Sequence, residues 1–139
     1  MRGSRWPSPA RTWSSCRSRE ESTWSGTTLS AWPSPYGVNW PLRAFATCAD
    51  PLAGLVRRTA VSPFGPLDLE EVVVSCQAGE VLVGTGYELN GSTGEVVIEA
   101  IEIDGDEDTA PTSVEVDAFR EDGFEGSWSL RAYAICATA

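Results

Sequence analysis

Apolar and polar residues alternate in short runs along much of the chain. In residues 113–120, Val114, Val116 and Ala118 fall on one face and Glu115, Asp117 and Phe119 on the other. A period of two turns successive side chains to opposite sides of an extended backbone, so such a run reads as a strand with one buried face. The same reasoning gives strands over residues 71–76, 80–89 and 95–103, each rich in Val or Ile or alternating with acids. Asn90 and Gly91, followed by Ser-Thr-Gly, supply the positive-φ positions that a hairpin between two of them needs. Several short strands at this spacing, with no helical period, predict an all-β fold, an antiparallel β-sandwich.

An internal repeat sharpens the prediction. Residues 39–50 (Asn-Trp-Pro-Leu-Arg-Ala-Phe-Ala-Thr-Cys-Ala-Asp) align with residues 127–138 (Ser-Trp-Ser-Leu-Arg-Ala-Tyr-Ala-Ile-Cys-Ala-Thr) at an offset of 88, with seven of twelve positions identical. Trp40, Leu42, Ala44, Ala46 and Cys48 share one face, as do Trp128, Leu130, Ala132, Ala134 and Cys136. Both segments are expected to be strands with those residues turned inward, the mark of a duplicated unit.

The run Val-Ser-Cys-Gln-Ala-Gly-Glu-Val-Leu-Val-Gly-Thr-Gly-Tyr of residues 74–87, with the closing strand above, resembles a poorly characterised repeat of secreted and cell-surface proteins of high-GC bacteria. That repeat has the pattern C-P-A-G, then a V-L-G-G-G-Y-like strand, then W-x-L-x-A-Y-A-I-C-A. Gln77 stands where the pattern has Pro, and Thr85 interrupts the Gly run. The resemblance covers one full copy over residues 72–137 and the tail of another over 38–49, so the sandwich is expected to be built from one full and one truncated repeat. It implies a disulfide between the opening Cys76 and the closing Cys136. Strand parity agrees, since Cys76 shares a face with Val72 and Val74, and Cys136 with Leu130, Ala132 and Ala134.

The first 36 residues differ. They hold nine Ser, four Trp, five Arg and four Pro, with Leu29 the one branched aliphatic residue. Ser and Arg are costly to bury and Pro interrupts ladders, so residues 1–36 are expected to be a disordered or non-native segment, and residues 37–139 the β-sandwich domain. Truncation, translation in a shifted frame, or a Ser/Pro-rich linker would each give this composition.

Charge and chemistry then narrow the function. The net charge of −10 is uneven: residues 1–48 carry six Arg against two acids, and residues 49–139 four Arg against eighteen. So acidic a surface repels nucleic acid and anionic membranes. There is no His, hence no Ser-His-Asp or Cys-His machinery. Cys16, Cys48, Cys76 and Cys136 are far apart and lack a C-x-x-C pair, which disfavours zinc and reads as two disulfides of an oxidising compartment. If the N-terminal segment is native, Cys16 and Cys48 form the second bond. Residues 1–10 contain no apolar signal-peptide core, and no run of apolar residues is long enough to span a membrane. Asp104, Asp106, Asp108 and Glu115 occupy positions 1, 3, 5 and 12 of a calcium-loop spacing, with Thr112 at position 9, although Thr109 stands where such a loop has Gly. Phe45 and Tyr133, equivalent in the two copies and opposite the apolar face, are candidates for an exposed aromatic contact. The expectation is a non-catalytic extracytoplasmic module, structural or interacting, at the cell surface or outside the cell, with no cofactor except possible Ca²⁺. Its partner would be a protein or a glycan surface, with no nucleic acid and no membrane insertion. The alternative is a carbohydrate- or surface-binding module assisted by calcium.

Overall fold

The computed structural model describes residues 10–15, 26–31, 41, 43–46, 52–92, 94–105 and 108–139. The chain divides into two compact units, Met1–Asp50 and Pro51–Ala139. Among the described residues there is no helix, and therefore none long and apolar enough to cross a membrane.

In the first unit, β1 (Ala10–Ser15) pairs antiparallel with β2 (Gly26–Ala31), from Ala10 opposite Ala31 to Ser15 opposite Gly26. Both strands fall in the stretch expected to offer little to bury. Pro41 and residues 43–46 carry no strand pairing, so the strand expected for the earlier repeat copy is not formed at those positions. Its alternation persists, with Arg43 and Phe45 exposed and Ala44 and Ala46 half-buried. Cys16, Trp40, Leu42, Cys48 and Asp106 lie outside the described residues.

The second unit has six strands: β3 (Val56–Val61), β4 (Leu69–Ser75), β5 (Glu80–Asn90), β6 (Val96–Ile103), β7 (Ser113–Arg120) and β8 (Ser129–Thr138). They form two three-stranded antiparallel sheets, ordered β3-β8-β5 and β4-β7-β6, a β-sandwich-like arrangement. The two central strands supply most of the core. Val114, Val116 and Ala118 of β7 and Leu130, Ala132, Ala134 and Cys136 of β8 are fully buried, with Val72, Val74, Leu82 and Val96 around them. Beside the three small or short side chains of β8, Trp128 fills the space between the sheets, fully buried, and its Nε1 donates to the Leu67 carbonyl at 2.7 Å. That bond resolves the one polar group that burial of an indole leaves over.

One sequence expectation needs correction. Asn90 and Gly91 do not turn a hairpin, because β5 pairs with β8 and β6 with β7, so the chain crosses from one sheet to the other between them. Gly91 takes φ +85 there, and a Cβ would press into the Ser127 carbonyl and the Trp128 backbone. The link is set by close approach to the start of β8 as well as by turn geometry.

Candidate functional site: the open side and the acidic face

Cysteines at the end of β4 and in β8 tie the two sheets together. Cys76 and Cys136 are joined by a disulfide with 5.7 Å between their Cα atoms. Next to it, Arg58 of β3 reaches across β8 to Glu80 of β5 with two bonds, Nε to Oε2 at 2.9 Å and Nη2 to Oε1 at 2.6 Å. The Gln77 amide donates to the same carboxylate at 2.7 Å. The guanidinium bonds, and after them the backbone bond, hold the Glu80 carboxyl below the usual carboxylate range. A carboxylate oxygen of Glu80 also lies within 4.8 Å of both sulfurs. With both sulfurs oxidised and the carboxylate claimed by Arg58, this end is a structural clasp.

The edges of β5 and β6 are different. β5 and β6 are edge strands of different sheets, each with a register irregularity, at Leu82/Gly84 and at Ile98/Ala100. Such bulges re-aim the residues beyond them. After its bulge, β6 sets Ile101 opposite Val116 and Ile103 opposite Val114, so both share the inward face of two fully buried valines. Tyr87 is likewise opposite the buried Ala132. Yet Ile101 is 44%, Ile103 52% and Tyr87 47% exposed, whereas Val96 at the start of β6 is 4% exposed. The sheets meet through β3, β4, β7 and β8, and β5 touches the facing sheet only sparsely. Inward-facing apolar side chains are therefore left uncovered where the edges part. At the Leu82 end the gap is bounded by the loop before β7, where the Leu82 amide donates to the Pro111 carbonyl at 2.7 Å.

The outer face of the β4-β7-β6 sheet is acidic. Glu71 is opposite Asp117, and Glu102 is opposite Glu115. Carboxylate oxygens of Glu71, Glu115 and Asp117 lie within 4.8 Å of one another. The four Arg of residues 52–139 are drawn elsewhere: Arg58 to Glu80, Arg120 to Asp68, Arg131 to Glu88, and Arg57 over the Tyr133 ring at 5.1 Å. Asp117 Oδ1 is buried with no hydrogen-bond partner among the described residues. Desolvation, followed by the charges of Glu71, Asp117 and Glu102, pushes the Glu115 carboxyl above its usual value. These three carboxylates are hard oxygen donors of the kind a divalent cation takes.

That upward shift has a sign. A carboxyl raised in the folded state favours folding while protonated, and this contribution is lost as pH rises through the folded value. Glu115→Gln is therefore expected to melt at a higher temperature than the parent chain near pH 7, with the gain shrinking as pH falls through the raised folded value and gone below the ordinary carboxylate value of about 4.3, where the parent carboxyl is protonated in both states. Thermal scans across that range check it, and equal melting at neutral pH would contradict it.

The sequence-predicted residues are placed as follows. Glu115 converges with Glu71 and Asp117 on the sheet face. Asp104, at the end of β6, accepts a hydrogen bond from Ser113 Oγ at 3.3 Å, and Asp108 is exposed in the loop. Tyr133 is half-buried within its own network, its hydroxyl donating to Glu88 Oε2 at 2.8 Å beside Arg131. Phe45 is 82% exposed. Sequence reasoning missed Tyr87, Ile101, Ile103, Glu71 and Glu102. The extra residue Glu99 hides the shared face of Ile98, Ile101 and Ile103, whose spacing reads as irregular until the bulge is allowed for. No protein-family model, no curated protein and no solved structure matches this chain.

Proposed function

We propose that the second unit is a non-catalytic extracytoplasmic interaction module, tied together at one end by its disulfide and open for a partner along the edges of β5 and β6. The observation that carries this reading is the solvent exposure of Tyr87, Ile101 and Ile103 on the inward side of the sandwich. An apolar strip that buried valines back directly, and that water still reaches, contributes little to folding and much to association. Location outside the cytoplasm is supported by the Cys76–Cys136 bond, because such bonds persist in oxidising compartments. The lack of His supports a non-catalytic role, since the commonest general base is missing. A structural role and a carbohydrate-binding role are the competing readings, the second resting on Phe45, which is exposed, and on Tyr133.

Stability separates the interaction reading from the structural one. If the strip serves a partner, replacing Ile101 and Ile103 together by Thr leaves the free energy of unfolding within about 1 kcal/mol of the parent chain. Val114→Ala or Val116→Ala, directly opposite on β7, is expected to cost about 2 kcal/mol or more. Denaturant titration of the three proteins decides it. A loss at Ile101 and Ile103 as large as at the two valines would make the strip part of the core and remove the basis of the reading.

A further inference from the structure

We infer that the open side takes an extended segment of a partner protein, laid along the free edge of β6, with apolar side chains on one face and Arg or Lys on the other. The inference rests on the interaction-module reading and names the partner's chemistry.

The edge supplies the first argument. Beyond the bulge, β6 continues through Ile101 and Ile103 with β7 as its one strand partner among the described residues, so its other side presents backbone groups that a further strand can pair. The register of such a strand fixes what each of its faces meets. Residues on its inner face would lie beside Ile101 and Ile103, and apolar side chains there would cover what water now touches. Residues on its outer face would extend two rows of the sheet. One row runs Val73, Glu115, Glu102, and the next runs Glu71, Asp117, Ala100. Like charges directly opposite one another destabilise a sheet, as Glu102 and Glu115 do here, and a cation at the end of each row relieves that repulsion. The four Arg of residues 52–139 are engaged at other places, so the compensating charge has to come from outside this unit. The second unit of another copy is a poor occupant, because residues 49–139 would bring eighteen acids against four Arg to the same acidic face.

The test uses the full chain and three synthetic peptides of about ten residues, alternating Val with Arg, Ser with Arg, and Val with Glu. Amide shifts locate binding, and calorimetry at low and high salt measures it. The Val/Arg peptide is expected to bind with shifts centred on β5 and β6, and more weakly as salt rises. The Ser/Arg and Val/Glu peptides are expected to bind about tenfold more weakly or worse, as is the Val/Arg peptide to the Ile101→Thr, Ile103→Thr chain. Equal binding of Ser/Arg would reduce the effect to diffuse charge, and equal binding of Val/Glu to apolar stickiness. Shifts on the outer face of the β3-β8-β5 sheet, concentration-dependent dimerisation giving the β5 and β6 shifts without peptide, or no binding would also overturn the inference. If the Thr variants keep their stability and the Val/Arg peptide does not bind, the partner chemistry is wrong and the module reading survives. If the Thr variants unfold easily, the module reading itself falls.

Discussion

Replacing Cys76 and Cys136 together by Ala is expected to lower the free energy of unfolding by about 4 kcal/mol, the chain-entropy value for a closed loop of this length. The two residues are 60 apart in sequence, and their bond joins the sheet of β4 to the sheet of β8. Once the bond is gone, that end keeps its packing, the Gln77–Glu80 and Leu82–Pro111 hydrogen bonds between segments of the two sheets, and the Arg58–Glu80 clasp, which spans β3 to β5 within one sheet. Since domains of this kind are stable by about 5–15 kcal/mol, the loss is a large fraction of the total. Chemical denaturation of the Cys76→Ala, Cys136→Ala chain beside the parent measures it, and an unchanged midpoint would show that the clasp and core suffice.

Trp128 carries the second large effect. It has no exposed surface and sits where the sheets are bridged by nothing else of its size, since its neighbours along the inward face of β8 are Leu130, Ala132 and Ala134. Trp128→Ala is expected to cost about 3–5 kcal/mol through lost transfer energy and the cavity left behind. Trp128→Phe separates the two contributions. It keeps most of the apolar volume and removes the donor that meets the part-buried Leu67 carbonyl at 2.7 Å, at a cost of about 1 kcal/mol. Equilibrium unfolding by near-ultraviolet circular dichroism and by far-ultraviolet signal should agree for each variant. A Phe variant as unstable as the Ala variant would assign the whole effect to the hydrogen bond, contrary to this account.

How far the fold could be read in advance depended on whether one strand face was buried without interruption. Residues 113–120 and the inward set from Trp128 to Cys136 alternate cleanly because each strand lies between two neighbours and over a core, and both are found as expected. Four other strands differ from expectation in instructive ways. The ends of β4, β5 and β6 shift by one or two residues, as ends do. β3 was not foreseen, because Arg57 and Arg58 stand side by side. Arg58 is on the inward face only by virtue of Glu80, twenty-two residues away in sequence. The division of strands between sheets was equally hidden, since Asn90 and Gly91 have the residue types of a hairpin and only the approach of Gly91 to the start of β8 directs the chain across. At the candidate site, the acids were conspicuous as a composition but not as a surface. Glu71, Glu102, Glu115 and Asp117 meet through cross-strand register, which no local spacing encodes. The open strip was the least legible part, because exposure of an inward face depends on how far apart two edges stand.

Solvent paramagnetic relaxation with a neutral gadolinium chelate tests directly whether water reaches the inward faces of β5 and β6. The side-chain signals of Ile101, Ile103 and Tyr87 are predicted to relax as strongly as those of Val73, which is 48% exposed on the outer face, while Val114 and Val116, with no exposed surface, remain unaffected. If Ile101 and Ile103 prove as shielded as Val114 and Val116, the sandwich is closed in solution and the account of its open side is contradicted.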